Sequence, residues 1–504
     1  MTEALCLRNL PPSGFGILSW RPPSGLQEAT RATPLSAQTR HISVLGGGFP
    51  AGSLVAVTGP PGVGKTIFAA NWIYNGVERL GCKGLYVSFV EGRKSFFENM
   101  RGSGLDFERL ERAGKFRFLE MVTLKEAGLP AIIEQILGEV ADIKANMLVI
   151  DSFSAIAQVI EKPYDMRMLV HSVLSKIVRE MGCTTMIIIE KMSAEETYEP
   201  AEFLSDFIIH LNKAEVDGAP LRYLKILKAR GTEIRQPQLA FTLKGGFKVF
   251  RPLPPGSFPE PTKRFKIVPH GEDYYSSGIS DLDRIVGPMF RRGCYNLLEV
   301  ERTVPLSIER TFRVILVNVL NQGGCAVILP PQGLSAVMVW RSLEPFVYEE
   351  ALRSNLKIVD FRTTAGETAE IAEPCVIPFS GRSIREDMLG FWNAVSELRS
   401  RYGKPVFTIV GFDTLEYVYG KDELLKILGE DLAKTRNFGD VRLNIVRPEC
   451  AIASHLSSLA DIHLIVREIC GAIFLQGIKP KTPLLNIELH TDEEGSEIKL
   501  TPVL

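Results

Sequence analysis

From Ser53 onward the chain alternates short apolar runs with amphipathic stretches of helical length. The runs are SLVAV, GLYVSF, MLVI, TTMIII and FIIHL. Runs this short and this apolar predict buried strands, and strands separated by helices predict a doubly wound, mainly parallel α/β sheet. Late in the same stretch, KILKARG and GGFKVF predict a closing β-hairpin. Between Pro252 and Pro261 five prolines fall in ten residues (PLPPGSFPEP), which stops helix and strand alike and behaves as a stiff linker. The pattern then returns as YNLLEV, CAVILP, LKIVDF, VFTIV, LNIV, HLIV, AIFLQ and LLNIEL.

The return is an internal repeat that can be checked residue by residue. LGGGFPAGSLVAVTG at 45–59 aligns without gaps on VGPMFRRGCYNLLEV at 286–300, superposing Gly46 on Gly287, Phe49 on Phe290 and Gly52 on Gly293. Later, LVIDS matches IVGFDT and pairs Asp151 with Asp413. The expected organisation is a loosely ordered arm over 1–40, rich in Pro, Ser, Gly and Thr, then a first lobe over 41–251. A proline-rich linker over 252–262 and a second lobe of the same fold over 263–504 follow.

Length and composition agree with two packed lobes: 504 residues exceed one ordinary core, and 45% hydrophobic with 23% charged residues suits a globular chain. Lys plus Arg (58) balances Asp plus Glu (59), so no overall basic field favours nucleic acid as a partner. The eight cysteines are scattered without zinc-ligand spacing and read as reduced core thiols. The N-terminus lacks a leader pattern and no uncharged apolar run is long enough to span a membrane, so a cytoplasmic protein is expected.

The first lobe carries a phosphate-binding motif. Gly59, Pro60, Pro61, Gly62, Val63, Gly64, Lys65 and Thr66 fit G-x-x-x-x-G-K-[ST], after the run that ends at Val57 and before the helical stretch IFAANWIYNGVERL. Glycines let successive backbone N–H groups face inward around phosphate oxygens at a helix N-terminus. Lys65 is expected to reach the β- and γ-phosphates of ATP and the Thr66 hydroxyl to ligate Mg²⁺. Asp151 ends the run Met147–Ile150, at the carboxyl edge of a strand, where it would hold the metal beside Thr66. Taken alone, an Asp in that position is more often a turn or helix cap. Glu91 follows GLYVSFV and is the candidate for orienting the attacking water.

The segments LGGGFPAGSLVAVTGPPGVGKT, YVSFVEGRKSFFENM, GLDFERLERAGKFRFLE, LVIDSFSAI, EFLSDFIIHL and LKILKARGT resemble the KaiC-like branch of the RecA superfamily of P-loop ATPases over about 42–250. The resemblance implies a two-lobed ATPase in a homo-oligomeric ring, most often a hexamer, with ATP at subunit interfaces. It also implies that Lys228 and Arg230, in Lys-Ala-Arg-Gly, reach the neighbour's γ-phosphate; by itself the segment reads as an exposed basic edge strand. The family's two adjacent glutamates are here Val90 and Glu91, so slow hydrolysis is expected. The Gly- and Asp-containing lead-in is replaced by QTRHISV.

In the second lobe Gly62, Gly64, Lys65 and Thr66 align with Thr303, Pro305, Leu306 and Ser307, and Gln332 stands opposite Glu91. No phosphate cradle survives, and Glu299 and Glu301 are expected where a triphosphate would sit. This lobe is expected to scaffold a ring or bind an unidentified protein partner. Ser454–Ser458 resembles the segment of KaiC that carries autophosphorylated residues, at Ser457 and Ser458, although a serine-rich turn before a strand is the plainer reading. The leading expectation is an ATP-hydrolysing switch. A DNA-handling recombinase or helicase and a non-hydrolysing nucleotide sensor are the alternatives, and protein-kinase activity ranks last.

Overall fold

In the computed structural model of the chain, the structure describes residues 20–21, 48–121, 128–157, 173–192, 200–253, 259–304, 309–361 and 375–504. The arm over 1–40 lies outside these residues apart from Trp20–Arg21, which pairs with Phe49–Pro50. The chain divides into unit 1, Met1–Pro252 with Val503–Leu504, and unit 2, Leu253–Pro502.

Unit 1 is built on nine strands: β1 (Leu54–Gly59), β2 (Gly84–Ser88), β3 (Phe116–Glu120), β4 (Met147–Asp151), β5 (Thr184–Glu190), β6 (Phe207–Val216), β7 (Ala219–Ala229), β8 (Gln238–Thr242) and β9 (Lys248–Val249). They lie in the order β9-β8-β7-β6-β1-β5-β4-β2-β3. Pairing is parallel from β6 to β3 and antiparallel from β6 to β9. The helices are α1 (Lys65–Leu80), α2 (Arg93–Gly102), α3 (Phe107–Arg112), α4 (Gly128–Ile143), α5 (Phe153–Ala157) and α6 (Pro200–Leu204), with one π-helical turn at Lys176–Glu180. The strands read as unbroken apolar runs because both sheet faces are covered. Val55 and Val57 of β1 enter one core, whereas Leu54 and Ala56 enter another on the opposite face. Full burial of such a side chain contributes about 1.5–3 kcal/mol.

Unit 2 repeats the plan with ten strands: β10 (Tyr295–Val300), β11 (Cys325–Leu329), β12 (Leu356–Phe361), β13 (Val376–Phe379), β14 (Val406–Gly411), β15 (Val441–Val446), β16 (Ile462–Ile469), β17 (Ala472–Lys479), β18 (Leu485–Thr491) and β19 (Ser496–Pro502). Their order, β19-β18-β17-β16-β10-β15-β14-β11-β12-β13, is that of unit 1 with one strand added at an edge. Its helices are α7 (Ser280–Val286), α8 (Glu309–Asn321), α9 (Ala336–Leu343), α10 (Glu349–Asn355), α11 (Ile384–Tyr402), α12 (Phe412–Tyr419), α13 (Lys421–Phe438) and α14 (Ala453–Leu459). Two tandem, mainly parallel α/β sheets are therefore present.

Local geometry repeats as well. Phe49 and Phe290 are both fully buried, and Gly52 and Gly293 have φ of 67° and 75°. The β6–β7 hairpin closes through Asp217 and Gly218 (φ 46° and 74°), and β16–β17 through Cys470 and Gly471 (53° and 78°). Both are two-residue turns with positive φ at both positions, the geometry that matches strand twist.

One expectation needs correcting. KILKA falls in β7 and the KV of GGFKVF in β9, but β9 pairs with β8, which lies between them, so the closing element is a meander. Of the described cysteines, Cys82, Cys183, Cys325 and Cys375 are buried, and no disulfide links any of them. Among the described residues no helix is long and apolar enough to cross a membrane.

Candidate active site

The loop from Gly59 to Gly64 joins β1 to α1 at the carboxyl edge of the first sheet. Gly59, Gly62 and Gly64 have φ of 145°, 75° and 106°. A Cβ on Gly59 would stand 2.3 Å from the Leu211 carbonyl oxygen, whereas one on Gly62 would meet nothing within 4 Å. Steric closeness therefore requires glycine at the first position and positive φ requires it at the second.

Lys65 opens α1 and is only 7% exposed. Its Nζ donates to the carbonyl oxygens of Gly59 and Pro60, each at 2.9 Å. Burial lowers the Lys65 pKa, opposed by the charges of Glu190 and Asp151. Thr66 Oγ1 donates to Asp151 Oδ2 at 2.8 Å, and the buried Tyr86 hydroxyl donates to the same oxygen at 2.7 Å. Asp151 closes β4 and is 7% exposed. Burial raises its pKa, against the hydrogen bonds from Tyr86 and Thr66 and the Lys65 charge.

Glu91 lies beyond β2, and its charge still acts on Asp151 and Tyr86. Its Oε1, however, accepts from Ser95 Oγ at 2.6 Å and Asn99 Nδ2 at 2.5 Å, which ties the carboxylate to α2. Val90 beside it is 63% exposed. Lys228 and Arg230 stand elsewhere. Lys228 Nζ donates to the carbonyls of Phe203 (2.9 Å) and Glu202 (3.4 Å), and Arg230 Nη1 to Asp206 Oδ1 at 3.4 Å. The structure thus gathers the glycine loop, Lys65, Thr66 and Asp151, holds Glu91 nearby on α2, and joins Lys228 and Arg230 to the α6 region.

Three residues near this loop escaped sequence reasoning. Tyr86 was hidden as one polar atom in an apolar run. Glu190 ends β5 as Asp151 ends β4, and its backbone position pairs with Gly59. Arg222 of β7 donates from Nη1 to the carbonyls of Gly62 (3.3 Å) and Val63 (3.2 Å), and no local signal marked it. A hydroxyl and a carboxylate meeting at one point supply the hard oxygen donors that suit Mg²⁺. A buried ammonium beside an open glycine loop suits phosphate.

Unit 2 differs at each corresponding point. Asp413 is not a strand end: it sits in the first turn of α12, two residues past β14, and its Oδ1 accepts from the backbone N–H groups of Gln332 (3.2 Å) and Thr414 (2.9 Å). Glu299 and Glu301 do not form an unanswered acidic pair, since Glu299 Oε1 lies 3.0 Å from His463 Nε2 and Glu301 Oε1 lies 3.5 Å from Arg467 Nε. Pro305, Leu306 and Ser307 lie outside the described residues. Ser454–Ser458 is helical, within α14, rather than a turn. There Ser457 Oγ is 3.0 Å from His463 Nδ1, and Ser458 Oγ donates to the Ser454 carbonyl at 3.0 Å.

Residues 39–252 match the family model described as the KaiC ATPase. The circadian clock protein KaiC3 of Synechocystis sp. is 29% identical over 293 residues, covering 56% of this chain and 54% of that protein. The circadian clock oscillator protein KaiC of Thermostichus vulcanus is 26% identical over 321 residues, covering 60% and 55%. The chain thus spans about half the length of these curated relatives. A crystal structure of a KaiC-like protein from Pyrococcus horikoshii is 32% identical and covers 41% of this chain and 94% of its own, with a TM-score of 0.38. Over residues 39–252 the chain belongs to the KaiC-like branch of the RecA-superfamily P-loop ATPases.

Proposed function

We propose that unit 1 binds ATP with Mg²⁺ and hydrolyses it slowly, as the switch of a homo-oligomeric ring whose second unit scaffolds or engages a partner protein. The observation that carries this reading is the convergence of Thr66 and Tyr86 on one oxygen of Asp151, beside a buried Lys65 at the glycine loop.

In this reading the Gly59–Thr66 backbone cradles the phosphates, and Lys65 exchanges its two carbonyl partners for β- and γ-phosphate oxygens. Thr66 and Asp151 are the residues that would hold Mg²⁺, and Tyr86 fixes the carboxylate that does so. Bound Mg²⁺ supplies neutralisation of phosphate charge. Glu91 orients water once its side chain leaves Ser95 and Asn99. Lys228 and Arg230 act on a neighbouring subunit's nucleotide, as Arg fingers do in related chemistry.

A second reading, a nucleotide sensor without turnover, is favoured by the two hydrogen bonds that tie Glu91 to α2. The deciding experiment is ATP turnover with Mg²⁺ by the full chain, its mass recorded with and without ATP. Lys65→Ala is expected to lose turnover by about 10²-fold or more. Glu91→Gln is expected to keep ATP binding and lose turnover. Tight binding with no turnover in any assembly state would leave the sensor reading in its place.

A further inference from the structure

Unit 2 keeps a cavity of about 90 Å³ at the carboxyl edge of its sheet, roofed by α8 and α9 and partly open to solvent. It occupies the side of the sheet where α1 and the glycine loop stand in unit 1, because β10 and α8 are the counterparts of β1 and α1. Its walls are aliphatic, from Leu298, Leu316, Ile328 and Ile409. A triphosphate would lose its hydration here without gaining a backbone cradle.

The polar groups are few and specific. Arg313 lines the cavity and is 5% exposed. Its Nη1 donates to the Ser342 carbonyl at 3.2 Å and its Nη2 pairs with Glu260 at 2.5 Å, but its Nε finds no hydrogen-bond partner among the described residues. Arg447 lines the same cavity and spends Nη1 on the carbonyls of Val300 and Glu301. Among the described residues Asp413 is the one carboxylate in the lining, and Oδ1 is committed to backbone N–H groups. Among the same residues, Glu260 already offsets the Arg313 charge and Asp413 interacts with that of Arg447, so the polar end holds paired charges. Buried polar atoms are normally satisfied, so the orphaned Nε calls for an acceptor.

We propose that this cavity binds a small, largely apolar monocarboxylate, its hydrocarbon body against the aliphatic walls and its head group at the Arg313 and Arg447 end. The composition, aliphatic walls with a few placed polar groups, is that of pockets that bury small ligands. Unit 2 has therefore exchanged a nucleotide site for a different ligand site at the same sheet edge.

The test is titration calorimetry of the full chain with octanoate, decanoate and dodecanoate, each below its micelle concentration. One-to-one binding is expected, tightening about three- to fourfold per added CH₂ until the cavity is filled. Leu334→Trp, at a half-exposed lining position, should block the mouth and weaken decanoate by tenfold or more. Arg313→Met should weaken the carboxylate while sparing decanol, and circular dichroism should show both variants folded. Saturating ATP with Mg²⁺ should leave decanoate affinity unchanged. Absence of binding, multi-site binding indifferent to Leu334→Trp, or displacement of decanoate by ATP would each overturn the proposal. None of these readouts depends on ATP hydrolysis.

Discussion

Asp151 shows how much a single position can conflict with the stability of its own fold. Its carboxylate is 7% exposed and burial raises its pKa. The folded chain therefore holds a proton more tightly than the unfolded chain, and stability falls as pH rises from the ordinary Asp value of about 3.9 through the raised one. Asp151→Asn removes this cost while an amide oxygen still accepts from Thr66 and Tyr86. Without nucleotide at pH 8 the variant is expected to melt at a higher temperature than the parent chain, with the gain vanishing near pH 4. A lower melting temperature at pH 8 would show that the ionised carboxylate stabilises the apo protein. The positions around it were unevenly legible. Glycines at positive φ, a lysine and a threonine in fixed spacing carry their own local meaning, so the loop could be read from the chain. Tyr86 and Arg222 act on Asp151 and Gly62 from distant strands, and their roles exist only once the sheet order is known.

At the scale of elements, fully buried parallel strands announce themselves as apolar runs, and most of the runs named from the sequence lie on strands of the two sheets. The strands that escaped had weaker patterns. The run VIPF of β13 contains Pro378, which only an edge strand tolerates, β3 is interrupted by Arg117, and β8 begins and ends on polar residues. The aspartate match between the lobes misled for a related reason, since two extra residues in unit 2 carry Asp413 out of the strand and into a helix. The shared hairpin turn also separates the copies. Unit 1 uses Asp217 where unit 2 uses Cys470, at φ of 46° and 53°. Left-handed backbone costs most side chains about 1–2 kcal/mol, and Asp and Asn tolerate it better. Cys470→Asn should therefore raise the melting temperature of unit 2 by roughly 2–4 °C in calorimetry. No change or a decrease would mean that the cysteine's own contacts outweigh the backbone term.

For the whole molecule, the buried clusters of residues 49–249 and of residues 265–500 are separate sets, each sandwiching its own sheet. Two calorimetric transitions are therefore expected. ATP with Mg²⁺ at about 100 times its dissociation constant adds roughly 2.7 kcal/mol to the state that binds it, which should raise one transition by about 5–10 °C and leave the other in place. A single transition that moves as one would show that the two units unfold together. The sheet order has a further consequence during synthesis. Strand β1, which leads into the glycine loop, pairs with no strand near it in sequence: Leu54 meets Thr185 and Val55 meets Phe207. At about 5–20 residues per second, a ribosome needs roughly 6–25 s to make the stretch of about 125 residues between β1 and β5. Throughout that interval the segment exists with both of its edges unpaired, so the nascent chain passes a window in which β1 is a natural target for holding chaperones and in which nucleotide cannot yet assist folding.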